Sequence, residues 1–407
     1  MAERYRRPDW VRRLNAMAGS VGGDARHLVP MDAAELLRAA EAAVGGLPRG
    51  DFGDPRWRER FEQLVVAVDS SPMHVVGRLM TRQEILRGLC TRLRLTREAD
   101  VRPGIADESI AAPVIVTGPA RSGTTILFEL LWLDPDLRAP IAWEALHPLP
   151  KVPSEAAADR IAWSESEQEL WADVQPEFAA IHELRSDLPV ECVTLTLPCF
   201  CGPHWSMIAQ LGGWSPDTAA MYDFHRRILQ VMQHGAPRRS WLLKTPGHLM
   251  TLEALFETYP DAWVVQTHRD PAKTMPSTVS TTAMVQWMRM DDVAVEPLAA
   301  AIETVFSWAL NHTVELRGSG TVPDRFVDVH FADLMRDPVD ALRRAYATMG
   351  REFGDAHAER IRAYLRDKPK GKFGTHRYAP EDWGFTADSL RESLAPYIRH
   401  FDVALED

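Results

Sequence analysis

No apolar run in the 407 residues approaches the roughly 20 that a membrane-crossing helix needs. Cysteine is scarce: Cys90, Cys192, Cys199 and Cys201 are all there are, in a chain long enough to need no covalent staple. Cys199-x-Cys201 has no second ligand pair at zinc spacing, so reduced structural thiols are expected. A basic excess is missing as well. Lys and Arg total 46 against 57 Asp and Glu, a net charge of -11, which excludes the electrostatic footprint of a nucleic-acid binder. Any anionic ligand must therefore be captured by locally placed cations and not by the overall field. The N-terminus is basic but lacks the apolar core of a signal peptide, so a cytoplasmic protein without a transmembrane segment is expected. Fixed-period repeats and low-complexity tracts are absent too.

What is present is organised around Pro113-Val-Ile-Val-Thr-Gly-Pro-Ala-Arg-Ser-Gly-Thr-Thr125. Val114 to Val116 form a β-branched run between turn residues, the pattern of a buried strand. Helical apolar spacing starts near Gly123 or Thr124. A strand, a loop with glycines at 118 and 123, and a helix N-terminus together make an anion site, because loop amides and the helix dipole face the same point. The spacing from Gly118 to Gly123 matches the first part of a nucleotide-binding Walker loop, but Thr124 stands where that motif needs lysine. The cation is Arg121, inside the loop. This reads as a phosphate cradle not built for magnesium-ATP.

Residues 1–110 read as helical: Asp32 caps Ala33 to Val44, and amphipathic runs cover Arg56 to Val68 and His74 to Leu95. Beyond the glycine loop, Ser154 to Leu184 reads as helix. The segment 186–214 mixes Phe200, His204, Trp205 and Trp214 with proline and glycine, the composition of an apolar acceptor pocket or of a core-and-turn element. Further buried strands are expected at Ser240–Lys244, Ala262–His268 and Phe326–His330. Strands alternating with helices predict an α/β fold, a mainly parallel sheet flanked by helices. The expected organisation is a helical N-terminal extension, 1–110, packed on an α/β domain, 111–407.

Three strands carry a cation at or just beyond the carboxyl end: Arg121, Lys244 and Arg269. Ligands of open α/β sheets bind outside those ends, so the three converge if the strands are neighbours.

These motifs resemble the sulfotransferases that use 3′-phosphoadenosine 5′-phosphosulfate (PAPS), in the bacterial branch with a carboxylate base. Val116-Thr-Gly-Pro-Ala-Arg-Ser-Gly-Thr-Thr125 is similar to their 5′-phosphosulfate loop, Leu243-Lys-Thr-Pro-Gly-His248 to a second signature, and Thr267-His-Arg-Asp-Pro with Ser277 to the 3′-phosphate segment. Lys370-Gly-Lys-Phe-Gly-Thr-His-Arg-Tyr378 is similar to the loop that closes over the nucleotide. The resemblance covers about residues 110–400. It implies donor contacts from Gly118, Arg121, Ser122, Gly123, Thr124, Thr125, Arg269, Ser277, Lys372, Arg377 and Tyr378. It also implies a glutamate base shortly after the first helix, and Glu144 falls at the matching distance. Animal cytosolic members carry lysine where Arg121 sits and a histidine base that has no clear counterpart here.

The chemistry is in-line transfer of a sulfuryl group to a hydroxyl of a small molecule or lipid. Arg121, Lys244 and the loop amides suit the charge that grows on the leaving phosphate, and no metal is required. The acceptor hydroxyl needs a base, with Glu144 the first choice and His248 the second. Trp143, Phe200, His204 and Trp205 are the candidate acceptor walls. The product of the donor would be 3′-phosphoadenosine 5′-phosphate (PAP). A P-loop kinase or NTPase, and a non-catalytic nucleotide-binding protein on the same fold, stay open as alternatives, as does a homo-oligomer.

Overall fold

Five strands carry the architecture: β1 (Val114–Thr117), β2 (Leu137–Arg138), β3 (Ser240–Lys244), β4 (Trp263–His268) and β5 (Phe326–His330). In this computed structural model, which describes residues 5–45, 51–151, 155–209, 211–237, 239–368 and 379–406, they form one sheet in the order β2-β3-β1-β4-β5. Every neighbouring pair is parallel. β1 is buried along its whole length, as a strand covered by helices on both faces must be. Of the four expected strands, β3 and β5 agree fully, and β1 and β4 differ by one residue at one end. β2 was not expected. Two residues are too few to carry a periodicity, and its pairing of Leu137 with Ser240 and Arg138 with Trp241 exists only through the partner strand.

β1 lies between β3 and β4, with Val116 level with Lys244 and Thr117 level with Gln266. The chain leaves β1 towards one side of the sheet and later returns to its other side, so the crevice beside β1 is a topological switch point. That order makes the carboxyl ends of β1, β3 and β4 neighbours.

Before the sheet, helices span Ala33–Val44, Trp57–Ser70 and Val75–Val101. The first begins where the Asp32 carboxylate accepts the Glu35 amide at 2.8 Å. The third runs six residues past its expected end. A hydrophobic cluster joins these helices to the helices Pro271–Trp287 and Val295–Ser319 and to the C-terminal segment through Val403. Close approach is enforced at Gly77, where a Cβ would lie 2.2 Å from the Arg289 carbonyl oxygen. There the buried Arg289 guanidinium donates to Glu84 at 2.9 Å. The expected helix 154–184 is shorter, Ala157–Val174, because Pro176 cannot continue it.

Candidate active site

The glycine loop is shaped by one contact that sequence alone does not reveal. Gly118 has φ of 140°, and a Cβ there would sit 2.2 Å from Thr267 Oγ1 and 2.8 Å from the Thr267 carbonyl oxygen. The loop leaves β1 pressed against the end of β4. Ser122 is buried with its hydroxyl 2.5 Å from Thr267 Oγ1 and donating to the Pro119 carbonyl. That hydroxyl is thus engaged within the loop and ties β1 to β4. Gly123, at φ of 91°, turns the chain into the helix Thr124–Trp132. Thr124 is buried and Thr125 exposed. Arg121 has φ of 64°, in the left-handed region, and its side chain is exposed.

Around this loop the three strand-end cations gather. Arg269 donates from Nη1 to the Arg121 carbonyl at 2.7 Å, so the two residues are in direct contact. The rest of its guanidinium forks onto the Glu406 carboxylate at 2.6 and 2.8 Å, over the Phe331 ring. Glu406 is held there by its own backbone, which donates to Asp270 at 2.8 Å and accepts from Arg391 at 2.7 Å. On the β3 side, Lys244 Nζ reaches Thr125 Oγ1 at 3.3 Å and Glu191 at 2.6 Å. Ser277 lies seven residues into the helix Pro271–Trp287, buried, its hydroxyl without a hydrogen-bond partner among the described residues.

Two residues here escaped the sequence reading. Glu191 precedes the short helix Cys192–Thr196 and holds both Lys244 and the Thr245 hydroxyl, the latter at 3.1 Å. Burial works against its charge, yet the Lys244 ammonium overcomes that and leaves the carboxyl below its usual range. His182 feels the charges of Glu191, Lys244 and Arg121, and burial chiefly brings its pKa down to about 4. A lone carboxylate in the otherwise apolar stretch Leu188-Pro-Val-Glu-Cys-Val was the available signal for Glu191; His182 offered none.

Glu144 lies on the short helix Ala142–Leu146, where its carboxylate faces Arg138 at 3.7 Å. Trp143 stacks against the Arg160 guanidinium at 4.8 Å. Phe200 and Trp205 are fully buried, with Phe200 between Phe61, at 4.9 Å, and Trp205, at 5.8 Å. They fill the core beneath the N-terminal helices instead of walling a pocket. His204 faces the buried Glu84 at 3.4 Å. Lys370, Lys372, Arg377 and Tyr378 lie outside the described residues.

The cleft next to the cations has other walls. It encloses about 310 Å³ and is lined by Cys192, Val193, Met221, Tyr222, Thr245 and His248, among others. His248 sits in the turn Pro246–Met250 that follows β3, its Nδ1 2.7 Å from the Tyr222 hydroxyl and its Nε2 buried without a hydrogen-bond partner among the described residues. Burial, aided by neighbouring His225, holds His248 well below the usual histidine range, so the ring is neutral at pH 7. The segment 186–214 does contribute to this cleft, but through Cys192, Val193, Thr196 and Pro203. Apolar walls, a neutral imidazole and an adjacent anion cradle suit transfer of an anionic group to an uncharged hydroxyl.

Known proteins show the same arrangement of chain. The chain is 24% identical over 305 residues, 72% of its length and 77% of the relative's, to the omega-hydroxy-beta-dihydromenaquinone-9 sulfotransferase Stf3 of Mycobacterium bovis. Its fold is similar to the crystal structure of sulfotransferase STF9 from Mycobacterium avium, with a TM-score of 0.80 and 26% identity over 92% of this chain and 98% of that one. It is also similar to STF1 from Mycobacterium tuberculosis H37Rv, with a TM-score of 0.74 and 26% identity over 89% and 98% of the two chains. The family model described as "Sulfotransferase family" matches residues 113–355, the stretch from the start of β1 through the helix Pro338–Thr348. With more than half of its length inside that match, and the loop, sheet and strand-end cations all within it, the chain belongs to the sulfotransferase family.

Proposed function

We propose that this sulfotransferase uses PAPS as donor and moves the sulfuryl group to the hydroxyl of an apolar, lipid-like alcohol. The observation that carries the reading is the meeting of Arg121 and Arg269 at the carboxyl ends of adjacent strands, with Lys244 across β1. Cations at three neighbouring strand ends suit a nucleotide with phosphate at two ribose positions. The residues present fit the donor. Arg269 offers a planar fork for the 3′-phosphate, and the buried Ser277 hydroxyl, without a partner among the described residues, supplies an additional donor for it. Arg121, Lys244, Thr125 and the loop amides serve the leaving 5′-phosphate, where negative charge grows in the transition state. Binding the 3′-phosphate exchanges Glu406 for phosphate on Arg269.

The apolar cleft supports a lipid-like acceptor, and the relative that acts on a menaquinone-derived alcohol favours the same class. For the base, the geometry favours His248 over Glu144. His248 lines the cleft four residues beyond Lys244, is neutral and has a buried ring nitrogen without a hydrogen-bond partner among the described residues, whereas Glu144 faces Arg138. Glu191 is bound to Lys244 and serves to aim its ammonium. A weak base suffices, because the hydroxyl becomes acidic as its oxygen bonds to sulfur.

Incubation with PAPS and ω-hydroxylated prenyl or alkyl alcohols should yield the sulfate ester and PAP without magnesium. A thermal shift produced by ATP with magnesium and none by PAP would overturn the donor assignment. His248→Gln should lower turnover roughly 10²–10⁴-fold while PAP binding persists; full turnover in that variant, with loss in Glu144→Gln, would return the role to Glu144.

A further inference from the structure

The His248 ring belongs to a chain of hydroxyl groups. Tyr222 OH lies 2.7 Å from His248 Nδ1 and 2.9 Å from Thr251 Oγ1, and the Thr251 hydroxyl lies 3.4 Å from the Gly247 and His248 carbonyl oxygens. Tyr222 is fully buried on the helix Thr218–Gln233 and stacks on the imidazole with centroids 5.8 Å apart. Two hydroxyl protons and one ring proton must be distributed over these contacts.

A carbonyl oxygen can only accept. If Thr251 donates to it, Thr251 Oγ1 accepts from Tyr222, and the Tyr222 oxygen then accepts from Nδ1–H. All three contacts become hydrogen bonds, and the buried Nε2 is left with a lone pair and no proton. The reverse order lets Thr251 donate to Tyr222 and Tyr222 to Nδ1. It gives up the carbonyl contact and leaves Nε2–H as a buried donor with no partner among the described residues, the costlier orphan.

We infer that Tyr222 and Thr251 are positioning residues that fix His248 in the Nδ1–H tautomer, which leaves Nε2 as the unprotonated, proton-accepting nitrogen. The inference rests on His248 being the base. In the transfer the acceptor oxygen bonds to sulfur, and the bond from sulfur to the bridging oxygen breaks. Its electron pair leaves with PAP, and the hydroxyl proton passes to Nε2. The imidazolium so formed keeps Nδ1–H on Tyr222, so no hydroxyl in the relay has to turn during the step.

The experiment combines two readouts on the full chain with PAPS and an alkyl alcohol acceptor. In protein labelled with ¹⁵N-histidine, the His248 signals, assigned by their loss in His248→Gln, should report an unprotonated Nε2 and a protonated Nδ1 at neutral pH. Tyr222→Phe should shift that balance and lower kcat roughly five- to tenfold, with PAP affinity and acceptor KM within twofold of the parent. Thr251→Val should act in the same direction, and Thr251→Ser, which restores the hydroxyl, should recover the loss. A protonated Nε2 in the parent protein, or unchanged kcat and signals in Tyr222→Phe, overturns the relay even when His248→Gln is inactive. Full activity of His248→Gln instead removes the base reading beneath it. A protein that unfolds on losing the tyrosine hydroxyl still leaves the parent spectrum to decide.

Discussion

The contact between Arg269 and Glu406 makes a measurable prediction about donor affinity. The pair is bidentate, at 2.6 and 2.8 Å, with the two side chains 15% and 33% exposed. Partly exposed ion pairs are worth about 1 kcal/mol or less, with bidentate geometry at the upper end. If a 3′-phosphate must displace this carboxylate, Glu406→Gln should tighten PAP binding by about 1 kcal/mol, or roughly fivefold in Kd. The change should not release the segment, because its backbone remains held by Asp270 and Arg391. Titration calorimetry with PAP and with 5′-AMP, which lacks the 3′-phosphate, isolates the effect. PAP should gain and 5′-AMP should not, and the gain should shrink as salt rises. In an Arg269→Ala background Glu406→Gln should change nothing. Equal or weaker PAP binding by Glu406→Gln, or a matching gain for 5′-AMP, would refute the placement of the 3′-phosphate on Arg269.

Other outcomes follow from the same geometry. Gly118→Ala should lower stability by about 1–3 kcal/mol, because its φ of 140° disfavours a side chain and the new methyl would meet Thr267 backbone; a thermal midpoint equal to the parent's refutes the close approach. Lys244→Met should cut kcat roughly 10²–10³-fold if this ammonium stabilises the leaving phosphate, and a loss under threefold in steady-state assays counts against it. Burial holds His74 and His225 neutral down to about pH 3, whereas the unfolded chain protonates them near 6.5. Stability from these rings is therefore complete above pH about 6.5 and drains as pH falls, by about 1.4 kcal/mol per unit for each. Denaturation midpoints at pH 7.5 and 5.5 should differ accordingly, and His225→Asn should flatten the slope.

Much of this protein is written in local pattern. The apolar run Val114–Val116, the glycines at 118 and 123 and the helical spacing after Thr124 place a strand, an anion loop and a helix without any knowledge of their neighbours. The Asp32 cap and β5 are equally local, and the structure matches them residue for residue. Arg121, Lys244 and Arg269 are legible because the carboxyl end of a parallel strand follows from the order of elements alone. What only the tertiary structure decides is who meets whom. Phe200 and Trp205 look the same in sequence whether they wall a pocket or fill a core, and the N-terminal helices packed over them choose the core. Glu191 gains its meaning from Lys244, a partner 53 residues away, and His248 its hydrogen-bond partner from Tyr222 on another helix. Periodicity and turn chemistry are properties of neighbours along the chain; charge pairing and proton placement depend on distances through space, and those exist only once the sheet has brought its strand ends together.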